Sequence, residues 1–152
     1  MVDYRSLCYL YTDQVKFKQV EWQQFLAEHK NDVIIRVRKD ELVTEPSGRT
    51  RFIHLNADGA VQDKSSLLQE FYVKGEFGEY FGFNWDALIE CLTDQVQPGI
   101  SYVVYIFHHY RGFEQASKQE FDYFLDTFAL AAYSSKYELK QYELILLLVD
   151  DL

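Results

Sequence analysis

Apolar and polar positions alternate through "SLCYLYT" (6–12), which predicts a strand. Within 20–30 the spacing changes, and Trp22, Phe25, Leu26 and His29 fall on one face of a helix. Residues 32–42 return to strand character, and the proline and glycine of "TEPSGR" (44–49) mark a turn or linker. Phe52, His54 and Asn56 then alternate with Ile53 and Leu55, as in a strand closed by the Asp-Gly turn at 58–59. "SSLLQEFYVKG" (65–75) starts on serine and ends on Gly75, the cap residues of a short helix.

A further helical pattern runs over 84–95, opened by Asn84, a favoured N-cap residue. A turn and a nearly continuous apolar strand follow over 97–110. Ser117 and Glu120 have the spacing of a capping box, in which each side chain satisfies an unpaired N–H of the first turn. Phe121, Phe124, Leu125, Phe128 and Ala132 recur on one face of the helix that this box would open, over 117–133. Residues 142–152 are apolar on both alternating faces, the pattern of a strand covered above and below. Strands separated by helices imply an α/β fold with a parallel sheet and crossover connections. There is no internal repeat and no low-complexity segment.

Composition narrows the function classes. A length of 152 residues suits one well-cored domain, or a small domain with an appended segment. Hydrophobic residues at 48% and aromatics at 17% exclude a disordered chain, because they supply enough apolar surface to offset ordering entropy. The start, "MVDYRSLCYLYTDQ", lacks the features of a signal peptide, and no stretch approaches the roughly 18 apolar residues that span a bilayer. A cytoplasmic protein without membrane contact is expected. Cys8 and Cys91 lie far apart without a CxxC partner, which suggests neither a disulfide framework nor a zinc site. Twenty-four acidic against fifteen basic residues give a net charge of −9, which repels nucleic acid. Such a charge serves solubility, or it attracts a basic partner by long-range steering.

The helix at 84–95 raises a specific question. Counted at about 100° per residue, Trp85, Leu88 and Leu92 share a core-facing stripe with Ile89 at its margin. Asp86, Glu90, Thr93 and Asp94 lie on the opposite side. Asp86 in the first turn meets the positive end of the helix dipole. Glu90, one turn further on, gains nothing from the dipole and is repelled by Asp86 by a few tenths of a kcal/mol, on the order measured for like charges at this spacing. It is either an ordinary solvated charge or a group placed for a partner.

The stretch "EYFGFNWDALIECLTD" (79–94) resembles the central segment of the barstar family, the intracellular inhibitors of barnase-type ribonucleases. The family pattern is an aromatic pair, glycine, any residue, asparagine, any residue, Asp-Ala-Leu, two variable residues and Cys-Leu. Tyr80, Phe81, Gly82, Asn84, Asp86, Ala87, Leu88, Cys91 and Leu92 fit it without a gap. The order of elements agrees over about residues 50–152, the barstar-like part, and leaves residues 1–49 as an N-terminal strand-helix-strand extension. Leu7, Tyr9, Trp22, Phe25, Ile34 and Ile35 need cover, so the extension is expected to dock on the same core.

The resemblance implies a three-stranded parallel sheet with helices packed on it, and a partner-binding surface of Tyr80, Phe81, Gly82, Asn84, Asp86, Ile89, Glu90 and Thr93. In the family the residues matching Tyr80 and Asp86 face the enzyme, and the one matching Glu90 enters its active site where a substrate phosphate would sit. Repulsion between the two carboxylates is then relieved by a cationic cleft. The implied partner is a basic ribonuclease or related toxin in a 1:1 complex, with no cofactor. Three departures stand out. Glu90 replaces a shorter aspartate, Ile89 stands where an aromatic is common, and the acidic contact from the later helix aligns near Leu130, with Asp126 about one turn away.

Other candidates were weighed on their chemistry. His108 and His109, with His54, suggest a metal, but adjacent histidines on a strand point to opposite faces. Asp86 and Glu90 could serve as acid and base in hydrolysis, yet no GxSxG, P-loop or HExxH motif accompanies them. Tyr102, Tyr105, Phe107, Tyr110 and Phe113 read as core and rim packing or, in part, as an interface. A second function class is a barstar-like binding module whose partner is not a nuclease, recruited through residues 1–49 or the aromatic surface.

Overall fold

The computed structural model describes residues 9–11, 22–39, 42, 49–95 and 98–150. Cys8 and most of the turn expected at 44–49 lie outside them. The elements in chain order are β1 (Tyr9–Tyr11), α1 (Trp22–Glu28), β2 (Ile34–Arg38), β3 (Thr50–Leu55), α2 (Lys64–Lys74), α3 (Trp85–Thr93), β4 (Tyr102–Phe107), α4 (Tyr110–Ala116), α5 (Lys118–Tyr133), a π-helical turn (Ser134–Glu138) and β5 (Glu143–Asp150).

All five strands are parallel, in the order β1-β2-β5-β4-β3. The sheet is therefore wider than the three strands implied by the resemblance. β3, β4 and β5 are those three, and β2 and β1 extend the sheet on the far side of β5. Leu146 has Tyr105 on one side and Ile34 on the other. The physical reason lies in β5. From Leu144 onwards every residue of it is buried, and such a strand cannot leave its backbone donors and acceptors unpaired along one edge.

Burial on both faces of β5 follows the alternation of its sequence. Leu144, Leu146 and Leu148 enter the larger core with Phe71, Leu88, Tyr105, Phe107, Phe124 and Phe128, beneath α2, α3, α4 and α5. Ile145, Leu147 and Val149 enter a smaller core with Ile35, Val37, Val104, Ile106 and, from α1, Phe25 and Leu26. Of the aromatic stripe, Tyr105, Phe107, Tyr110 and Phe113 are fully buried, so that they are core packing.

Helix starts differ from the expected caps. Ser117 precedes α5, but its hydroxyl donates to the Gln62 carbonyl at 3.2 Å, while Glu120 accepts from the Trp85 indole at 3.3 Å. Tertiary partners have taken both members of the expected capping box. The box forms instead at α2, where the Asp63 carboxylate accepts from the Ser66 amide at 2.8 Å and the Ser66 hydroxyl accepts from the Asp63 amide at 3.3 Å. The strand expected over 97–110 stops at Phe107, because His109 turns left-handed at φ 52° and starts α4, a helix the apolar run conceals.

Candidate partner-binding surface

Helix α3 is shaped by its own sequence and fastened at both ends. Asn84 is extended (φ −141°, ψ 171°), and its side-chain oxygen accepts from the Ala87 amide at 2.8 Å. Its amide group donates to the Gly82 carbonyl at 3.2 Å, tying the preceding loop to the cap. Leu88, Cys91 and Leu92 are buried, and Trp85 is half-buried with its ring 6.3 Å from that of Phe124. At the other end the Tyr142 hydroxyl donates to the Leu92 carbonyl at 2.6 Å and accepts from the Gln95 amide at 2.8 Å. Gln141 donates to the Thr93 carbonyl at 2.8 Å. Orphan groups at the N-terminus are met by the cap Asn84 and those at the C-terminus by Tyr142 and Gln141, so the helix is a rod fastened at both ends.

The rod presents Asp86 and Glu90 to solvent. They are separated by one turn, a rise of about 6 Å. Neither carboxylate has an ion-pair or hydrogen-bond partner among the described residues. Asp94, at the C-cap, is also exposed and extends the acidic edge by another turn. Thr93 is half-buried, and its hydroxyl donates to the carbonyls of Ile89 (2.9 Å) and Glu90 (3.1 Å). Ile89 is half-buried against the larger core.

The loop before the helix divides its aromatics. Phe81 is 4% exposed and belongs to the core, which corrects its expected place on the surface: it supports the loop from beneath. Tyr80, by contrast, is 67% exposed. A Cβ on Gly78 would overlap the Tyr80 ring, so glycine there admits the ring. The Tyr80 phenol lies beside Cys91 and Asp94; the Cys91 sulfur first, then partial burial and the Asp94 carboxylate, raise its pKa. Burial likewise pushes the Cys91 thiol upward, against a nucleophilic role. Gly82 is exposed, and an added Cβ would come within 3.2 Å of the Asn84 amide. Phe83 is left-handed at φ 51°, an uncommon conformation for a bulky side chain, and is 44% exposed. Spacing had not singled it out.

The histidines are arranged differently from a metal centre. His54 and His108, from the ends of β3 and β4, meet with Nδ1 and Nε2 2.9 Å apart. Burial lowers the pKa of His54. His109 turns away to pack beside Gly59. Among the described residues no group of three or more His, Cys, Asp or Glu side chains could hold a metal ion. On α5, Leu130 is 38% exposed and Asp126 half-buried.

The profile described as "Barstar (barnase inhibitor)" matches residues 50–146, more than half of the chain. The chain belongs to the barstar family. Among curated proteins, none matches it. The barstar family is one of inhibitors, not enzymes, and its members' implied partner is a barnase-type ribonuclease. Among the described residues, no helix is long and apolar enough to cross a membrane.

Proposed function

We propose that this barstar-family chain is a cytoplasmic inhibitor of a basic barnase-type ribonuclease or toxin nuclease, forming a one-to-one complex that closes the enzyme's active site. The observation that carries this reading is the pair of exposed, unpartnered carboxylates of Asp86 and Glu90 on a helix fastened at both ends. Two anionic groups about one helical turn apart imitate RNA phosphates, and a cationic cleft relieves the repulsion they exert on each other. Arginine and lysine in the cleft form charge-assisted hydrogen bonds to both. Because the helix is already ordered, little conformational freedom is lost on docking. Tyr80, broad and amphipathic, packs against the enzyme beside the carboxylates, while Asn84 and Gly82 shape the entry to the helix. Thr93 and Ile89 set the lower margin of the surface.

RNA cleavage by barnase with increasing amounts of the chain tests the proposal. Inhibition should saturate at one equivalent. Glu90→Ala should weaken it by about 2–5 kcal/mol, the range for truncating one partner of a buried charge pair; the strongly coupled charges of barnase and barstar are a standard example of such pairs. Glu28→Ala, in α1, should change little. Equal losses at both positions, or undiminished cleavage at saturating chain, would overturn the assignment.

A further inference from the structure

We propose that Phe83 is an additional contact residue of the acidic surface, standing in for a nucleobase beside the phosphate-mimicking carboxylates; this rests on the inhibitor reading above. Three observations converge on it. First, Phe83 adopts a left-handed backbone at φ 51°, which is unfavourable for a bulky side chain and persists only where the surroundings impose it. Second, the ring remains 44% exposed despite this strain. Third, it rests on a fixed aromatic floor, with the Phe81 ring 4.7 Å away and the Tyr72 ring 5.2 Å away, both steeply tilted. Phe81 is itself in the core, so the floor cannot yield.

Position supplies the occupant. Phe83 lies one residue before the cap Asn84 and three before Asp86, so that its backbone is at most about 11 Å from that of Asp86. A single nucleotide reaches that far from phosphate to base. Proteins that bind single-stranded RNA combine a cationic track for the backbone with planar or apolar faces on which bases stack. An inhibitor offering carboxylates alone would fill only half of such a site. Tyr72, from α2, is half-buried and continues the apolar surface beside the ring. The partner that fits both halves is a basic ribonuclease whose base-binding wall receives Phe83 while its phosphate-binding cations receive Asp86 and Glu90.

The test uses catalytically inactive barnase as the probe, with association and dissociation measured separately at low and high salt. Phe83→Gly removes the ring's packing on Phe81 and Tyr72 but relieves the left-handed backbone, so the two effects oppose and its melting temperature should change little. Its dissociation should be about 10- to 100-fold faster, as for loss of one base-stacking contact. Its association rate and salt dependence should be unchanged, because no charge is altered. Phe83→Asn, which also tolerates the left-handed region, should behave alike, and Phe83→Trp should retain slow dissociation. Glu90→Ala should also dissociate faster, as for truncation of one partner of a buried charge pair, but unlike the Phe83 variants it should flatten the salt dependence as well. If the Gly and Asn variants dissociate like the parent while Glu90→Ala is impaired, the role of Phe83 is wrong and the acidic surface stands. If the parent chain does not bind, or Glu90→Ala is silent, both readings fall.

Discussion

The Tyr142 hydroxyl donates to the carbonyl of Leu92 at 2.6 Å, joining the approach to β5 to the last turn of the acidic helix. The same oxygen accepts from Gln95, so a single phenol satisfies two groups of the helix end. Tyr142→Phe leaves a buried carbonyl unpaired and should cost about 1–3 kcal/mol in chemical denaturation. Burial, first, pushes the Tyr142 pKa up to about 12. An unfolded tyrosine ionises near 10, so between about 10 and 12 the folded state binds more protons. The contribution is complete below pH 10 and is lost as pH rises towards 12. Tyr142→Phe should therefore show a shallower alkaline loss of stability than the parent.

Asn84 caps α3 through a 2.8 Å bond from the Ala87 amide. Asn84→Ala should lower stability by about 1 kcal/mol, and Asn84→Ser should recover most of it. Thermal melts of the three proteins measure the difference, and an Ala variant as stable as the parent would mean that tertiary packing alone sets the start of the helix.

Gly78 admits the ring of Tyr80. In Gly78→Ala the ring must move, yet it is an exposed side chain and can do so without disturbing the core. The melting temperature should stay within the small range usual for surface substitutions. Inhibition of barnase should weaken about as much as in Tyr80→Ala. Unchanged inhibition would remove Tyr80 from the contact surface.

His54 is an exposed residue, and the partial burial of its ring lowers its pKa. The unfolded imidazole takes up a proton near pH 6.5 and the folded one only at lower pH. Stability from this source is complete above pH 6.5 and declines as pH falls through the folded pKa. His54→Gln, followed by denaturant midpoints from pH 7.5 to 5, should show a flatter acid limb than the parent.

The acidic helix was legible because its information is local: the cap Asn84, the first-turn Asp86 and the stripe of Leu88 and Leu92 are all read from spacing within one element. β5 was legible for a similar reason, since an apolar run on both faces has few other places to go. The pairing of β2 with β5 was not, because Ile34 and Leu146 are far apart in the chain and no local signal states the register. Phe81 and Phe83 look equivalent as sequence, and only the left-handed backbone at 83 separates a core ring from a surface one. The Ser117 and Glu120 pattern misled because a hydroxyl and a carboxylate serve distant partners as readily as their own helix end.

Among the described residues β5 is the last strand in sequence but the middle one in the sheet. Without it the halves on either side have no seam to close on, and the larger core lacks Leu144, Leu146 and Leu148. Chains cut short before Glu143 should thus fail to fold, even though every residue of the acidic helix is present.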